Sequence, residues 1–245
     1  HSNNIVSEKP LVSVIINCFN GEKYLRDALD SVITQTYENW EIIFWDNKST
    51  DKSAEIFKSY EDTRLKYYSA SSHEAILSVA RNHALKKTNG DLIAFLDADD
   101  IWKPKKLELQ LPCFKANVGL VYTAAEIVYS GRVTKIVSKE TPQGNVFGSL
   151  LSDYFLVMSS VIISRQALDS LSHWFDPRFE IIEEYDLFLR IAAKWEFKGI
   201  PLQLTQWRWH ESSTSMLKTK LISKEKRIML RKLKKEYPAL YSNNT

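Results

Sequence analysis

The chain is poor in everything that would set it apart from ordinary globular proteins. Its 245 residues contain only 7 Gly and 7 Pro, which excludes collagen-like and low-complexity classes. Cysteine is scarcer still. Cys18 and Cys113 follow no zinc or redox spacing and suggest no disulfide framework, so a reducing, cytoplasmic setting is expected. No apolar run approaches the roughly 18 residues of a membrane span. Among the longest, residues 156–163, is broken by Ser159 and Ser160. A net charge of +3 is too small to point to a nucleic-acid partner. What is present is 44% hydrophobic against 26% charged residues, enough for a sizeable core and incompatible with intrinsic disorder. The length allows one large domain or two small ones. The first residue is His rather than Met, and residues 1–9 read as a tag remnant and flexible leader.

Charge is unevenly spread. Residues 217–237 hold nine basic side chains and two acidic ones, so the rest of the chain is net acidic. Ile222, Met229, Leu233 and Tyr237 form one helical stripe through this basic tail. Two readings follow: a helix lying on an anionic membrane surface, or a helix docked by its stripe with a solvated basic face.

Upstream, two periods alternate. Residues 11–16 (LVSVII), 40–45 (WEIIFW), 65–69 and 92–96 (LIAFL) read as strands, the first and last as buried parallel ones. Helical spacing predicts helices over 22–36, 53–60, 75–87 (closed by Asn89-Gly90) and from Pro104 to about 115. Beyond these, strands are expected at 119–123, 127–129 and 133–137, the last two joined by a Ser130-Gly131 turn. Further strands are expected at 157–163 and 199–204, with a helix over 182–195. Such alternation predicts an α/β fold with an open, mostly parallel sheet flanked by helices.

Ligands of such sheets bind beyond the carboxyl ends of the strands. The first strand runs into Asn17-Cys18-Phe19-Asn20, the second into Asp46-Asn47, and the fourth into Asp97-Ala98-Asp99-Asp100. Three separate segments thus deliver carboxylates, amides and an aromatic ring to one edge. Neither G-x-G-x-x-G nor G-x-x-x-x-G-K-[ST] is present, so no glycine loop offers to cradle phosphate. Asp97 and Asp99 instead offer hard oxygen ligands suited to Mg²⁺ or Mn²⁺. The alternative, an Asp cluster capping the next helix, is outweighed by the convergence of the other polar strand ends.

Residues 10–20 (PLVSVIINCFN), Tyr24-Leu25, 31–36 (SVITQT), 46–51 (DNKSTD), Ala80-Arg81-Asn82, 95–100 (FLDADD), 183–190 (EEYDLFLR) and Arg208-Trp209-His210 occur in this order. Together they resemble the family-two glycosyltransferases over roughly residues 10–215. The resemblance implies a GT-A fold, with 10–100 as a nucleotide-binding half and 101–215 as an acceptor-binding half, followed by the tail at 216–245. It implies that Phe19 packs on a nucleobase with Asn17 alongside, that Asp46 bonds the base edge, and that Arg81 lies near base or diphosphate. Asp97 would address the ribose, and Asp99 would ligate the metal. His210 falls where related enzymes place a histidine near metal or diphosphate, although a lone His between aromatics is also commonly structural. Glu184 takes the place of the catalytic carboxylate. Asn17, Phe19, Asn47-Lys48 and Glu184 each differ from the residue usual in the family.

The implied reaction is an inverting displacement on a nucleotide-sugar by the hydroxyl of a saccharide or lipid-linked saccharide, with Mn²⁺ or Mg²⁺. Glu184 would act as base, and Glu183 and Asp186 beside it would raise its pKa, with Asp186 part of the catalytic group. Trp102, Trp207 and Trp209 would stack on sugars or belong to the core. A cytoplasmic enzyme at the inner face of a membrane is expected. Haloacid-dehalogenase phosphatases fit poorly, because Ile101 stands where Thr or Val is wanted. Nucleotidyltransferases lack their usual basic glycine loop here, and a non-catalytic binding module would not need the intact carboxylates.

Overall fold

The computed structural model describes residues 8–210 and 218–245. The first seven residues of the expected leader, and the junction at 215–216, lie outside the described residues. The amino-terminal part alternates as the pattern predicts. It comprises β1 (Val12–Cys18), α1 (Leu25–Ile33), β2 (Trp40–Asp46), α2 (Ser53–Lys58), β3 (Leu65–Ser69), α3 (Leu77–Leu85) and β4 (Leu92–Phe95). Then come β5 (Ile101–Trp102), α4 (Lys106–Gln110), β6 (Val118–Tyr129), β7 (Arg132–Val137) and α5 (Phe147–Ser152). The chain continues through β8 (Ile162–Ser164), α6 (Arg165–Asp169), α7 (Glu183–Ala192), β9 (Glu196–Trp209), α8 (Thr219–Glu236) and α9 (Pro238–Asn243).

One sheet carries all nine strands of the described residues, in the order β3-β2-β1-β4-β8-β6-β9-β5 with β7 paired to β6. The half built from β3, β2, β1 and β4 is parallel. The other half is mixed: β6 and β9 run parallel, as expected, but the remaining pairs do not. β8 runs antiparallel to both β4 and β6, β5 antiparallel to β9, and β6 with β7 forms a hairpin. That hairpin turns on Ser130 and Gly131, both at positive φ, as its two-residue loop requires.

Several boundaries differ for local reasons. The two strands expected at 119–123 and 127–129 are one strand, β6, whose register shifts near Thr123 and Ala124 let it pass through the gap unbroken. The expected strand 157–163 is interrupted by a 3₁₀ turn (Met158–Ser160) ahead of the short β8. The helix from Pro104 gives way to a 3₁₀ turn (Leu111–Cys113) at Pro112, which lacks the N–H to continue it. α3 ends at Leu85, before the Asn89-Gly90 expected to close it.

Each face of the sheet buries its own apolar cluster. Val12, Val14 and Ile16 of β1 meet α1, α2 and α4 on one side. Ile15, Leu120 and Tyr122 meet α3, α5, α7 and α8 on the other. Met229 and Leu233 of α8 are fully buried in the second cluster, so the tail stripe docks onto the fold rather than being free to enter a lipid surface. Among the described residues no helix is long and apolar enough to cross a membrane.

Gly90 is a glycine because of a close approach. A Cβ there would lie 2.5 Å from the Leu11 carbonyl oxygen and 2.7 Å from the Ser13 nitrogen, both backbone atoms that cannot swing aside. Gly90→Ala should therefore cost about 1–3 kcal/mol. Urea denaturation should show this as a lower midpoint with the slope unchanged.

Candidate active site

The ends of β1 and β2 are stitched together before any ligand arrives. Asn20, in the left-handed region at φ 52°, accepts the Thr50 N–H at 2.8 Å through Oδ1 and gives its own N–H to Ser49 Oγ. Asp51 accepts the Glu22 N–H at 3.0 Å, and Ser53 Oγ accepts that of Gly21 at 2.9 Å. These loops frame a cleft of about 470 Å³ lined by Asn17, Phe19, Tyr24, Asp97, Asp99 and His210, among others. Phe19 is half exposed, with its ring 4.3 Å from that of His73.

Asp46 and Asn47 support this rim from beneath. Asp46 is buried, accepting from Ser49 N–H through one oxygen and from the Tyr67 hydroxyl through the other. It does not line the cleft. Burial and the Asp46 carboxylate push the Tyr67 phenol up to about 12. Asn47 pairs with both backbone groups of Glu74, accepting its N–H at 2.8 Å and donating to its carbonyl at 2.7 Å. An aspartate could only accept there, which explains why an amide replaces the family's usual carboxylate. The Asn47 carbonyl lies 3.1 Å from His73 Nδ1, so the same residue steadies the ring against Phe19. Lys48 holds φ 63° at the position where the family usually has glycine, a conformation costing an L-residue about 1–2 kcal/mol.

The three aspartates after β4 divide by environment. Asp100 is buried, accepting from Ser159 Oγ at 2.6 Å and from the Arg208 N–H at 2.9 Å. Burial, then Asp97 and Asp99, hold its carboxyl well above the usual range. Ser159 Oγ also accepts the Asp97 N–H, so a single hydroxyl ties the turn together. Asp99 faces the cleft with its Oδ2 2.8 Å from His210 Nε2, bringing together the two residues named as metal ligands. These carboxylate and imidazole donors are close enough to share one cation, and a carboxylate-bearing set suits Mn²⁺ or Mg²⁺. Trp102 belongs to the core, its indole N–H donating to the Ser159 carbonyl at 2.7 Å. Trp207 and Trp209 pack edge to face, half-buried at the end of β9.

Arg81 joins this turn to α7. It is buried, with one guanidinium nitrogen 2.6 Å from Glu183 Oε1 and another 3.5 Å from Asp97 Oδ1. Its neighbours on α3 tether the approach to α7: Asn82 pairs with both backbone groups of Phe175, and Ser78 Oγ donates to the Phe179 carbonyl at 3.0 Å. Glu184, next along, keeps one carboxylate oxygen buried without a hydrogen-bond partner among the described residues. Burial foremost, with Glu183 and Asp97 adding to it against the pull of Arg81, raises its carboxyl to about 8. The Tyr154 phenol lies beside it and is itself pushed well up by burial and the two glutamates. Tyr154 and Ser159 were missed by sequence reasoning. Ser159 at least left a signal, as a polar break in an otherwise apolar run.

Asp186 is a correction. Its side chain is fully buried away from the cleft, held by Arg190 Nε at 3.0 Å and by Lys232 Nζ of α8 at 2.9 Å. Lys232 also contacts His173 and Asp176, each at 2.9 Å. Its ammonium therefore sits among the three residues that alone, among the described residues, group as a candidate cation site. Neither Asp186 nor Glu184 is among the residues lining the cleft, and on a helix residues two apart point to different faces, so the two acids have separate surroundings.

The model of glycosyl transferase family 2 matches residues 13–167. A putative teichuronic acid biosynthesis glycosyltransferase of Bacillus subtilis (strain 168), TuaG, is 45% identical over 222 residues, covering 88% of this chain and 86% of TuaG. The Escherichia coli UDP-Glc:alpha-D-GlcNAc-diphosphoundecaprenol beta-1,3-glucosyltransferase WfgD is 31% identical over 219 residues, covering 88% and 83%. Among solved structures, S. aureus TarS 1–349 in complex with UDP-GlcNAc matches with a TM-score of 0.71 at 16% identity, over 91% of this chain and 66% of that one. Mannosyltransferase PcManGT from Pyrobaculum calidifontis, in complex with GDP-Man and Mn²⁺, matches at 0.67 and 17%, over 84% and 59%. This chain thus spans less than two thirds of either solved chain, and at these identities the likeness concerns the fold.

Asp186→Asn should act on stability. Breaking a buried ion pair from one side costs about 3–5 kcal/mol. Denaturation should register that loss while nucleotide affinity, measured on folded protein, stays unchanged.

Proposed function

The chain belongs to glycosyl transferase family 2 and is a glycosyltransferase of GT-A fold. On that premise we propose that its cleft binds a uridine-diphosphate sugar and passes the sugar, with inversion, to a hydroxyl of a lipid-linked saccharide. The observation that carries this reading is the Arg81 bridge. It links the turn bearing Asp99 to the helix bearing Glu184, so metal-ligating and basic groups belong to one connected site. The uridine preference is supported by WfgD, named for a UDP-glucose donor, and the acceptor class by its diphosphoundecaprenol acceptor.

In this mechanism Phe19, backed by His73, holds the base, and Asp97 takes the ribose. Asn17 lies alongside the base. Asp46 acts by shaping the loop that presents the base edge. Asp99 and His210 would hold Mn²⁺ or Mg²⁺, which when bound supplies positive charge to offset that on the diphosphate. Glu184 takes the proton of the acceptor hydroxyl as its oxygen bonds to the anomeric carbon and the bond from that carbon to the diphosphate oxygen breaks. The exposed lysines and arginines of α8 face outward, a cationic surface suited to the inner face of an anionic membrane carrying the acceptor.

Glu184→Gln should lower transfer about 10²–10⁴-fold, assayed as release of nucleoside diphosphate, while leaving calorimetric UDP affinity within about threefold. Unchanged turnover would overturn the assignment. A base must be ionised to act. With its carboxyl raised to about 8, kcat/KM should climb with pH and level off above that value, standing about 10²-fold lower at pH 6.

A second test addresses donor and metal. UDP with Mn²⁺ should raise the melting temperature, and Asp99→Asn should remove the Mn²⁺-dependent part of that rise while leaving the part due to UDP alone. A rise of equal size with GDP would overturn the uridine preference.

A further inference from the structure

We propose that Glu225, on the tail helix, is a positioning residue for Glu184, and that α8 is therefore part of the catalytic apparatus. This rests on Glu184 being the base. α7 begins without a cap of its own: Ile182 stands at its N-cap and offers no side-chain acceptor. The first N–H groups of a helix need partners from elsewhere. Here a carboxylate from more than forty residues downstream binds not those groups but the three amides that lead into them. Glu225 Oε1 accepts the Glu180 N–H at 2.7 Å, and Oε2 accepts those of Ile181 and Ile182 at 3.0 and 3.2 Å. Glu225 is only 3% exposed, so this is a built contact rather than a surface one.

The three amides immediately precede Glu183 and Glu184. Fixing them fixes where α7 starts and the direction in which its first side chains leave the backbone. Glu225, Met229 and Lys232 recur at helical spacing along one face of α8. Met229 seals the core, while Lys232 grips Asp186 one turn into α7. The base is thus held from behind by two charged contacts, at the start of its helix and one turn along. A buried carboxylate beside Glu183 would oppose ionisation there, and Glu225 does help to raise the Glu183 carboxyl.

The test uses the full chain and Glu225→Gln, with Glu225→Ala as a second variant. Hydrogen exchange should show lost protection at the amides of 180–182. A misplacement near 1 Å can cost about 10²-fold in rate, so kcat should fall about tenfold or more. Donor KM and UDP affinity should stay within about twofold. On the Glu184→Gln background, Glu225→Gln should remove no further residual turnover, because there is no base left to misplace. Wild-type kcat despite deprotected amides would overturn the proposal. So would parallel loss of UDP binding, or an equal fractional loss on both backgrounds. An active Glu184→Gln enzyme would instead sink the assignment of the base, and is told apart because it involves no change at Glu225.

Discussion

The structure turns on one buried cation. Arg81 lies inside the fold, where an unpaired guanidinium would cost several kcal/mol, so acids must come to it. Glu183 comes from α7 and Asp97 from the turn after β4. Satisfying that charge ties the turn after β4 to the start of α7, the helix that carries Glu184. The other polar groups of α3 repeat the logic without charge. Asn82 and Ser78 hold backbone groups at Phe175 and Phe179, so the segment entering α7 is pinned before the helix begins.

The aspartates show how burial sorts identical side chains into different work. Asp100 is enclosed, spends both oxygens on protein donors, and closes the turn against β9. Asp99 faces the cleft beside His210, and Asp97 faces Arg81. The turn can send its other two acids in different directions because the third is tied down. Glu184 is the counterpart on α7. Enclosed beside other acids, its carboxyl is held towards neutrality, which makes a better proton acceptor than an exposed glutamate at the same place.

The legible parts of the fold were those written in local periodicity. β1, β2 and β4 are short apolar runs bounded by polar turns, and they lie where the runs do. The mixed half of the sheet was legible only in its longer strands, β6, β7 and β9. β5 is two residues long and β8 three, too short for any period to register, and each is defined by its partner rather than by its own pattern. At the site, the acids at strand ends could be read because topology sends strand ends to one edge. Asp186 could not be read correctly. Its place in an acidic cluster looked the same from the sequence as that of Glu184. Arg190 one turn on and Lys232, 46 residues on, distinguish them. Tyr154 left no local signal, and Asn47 could be noticed as a departure without its reason, which lies in the backbone of Glu74.

The tail makes the same point about domain limits. Its composition suggested a separate basic helix, and that is what its outer face remains. Its inner face carries an acid, Glu225, and a cation, Lys232, each spent inside the fold on α7. A surface helix gains nothing from burying charges of opposite sign seven residues apart unless each has a designated partner, since desolvation alone opposes both. Their partners are the start of α7 and the acid one turn beyond it. The segment matched by the family model ends at residue 167, before α7 begins. Glu184, proposed as the base, and the contacts that hold its helix therefore lie beyond that segment, in the part of the chain where long-range contacts rather than local motifs determine the geometry.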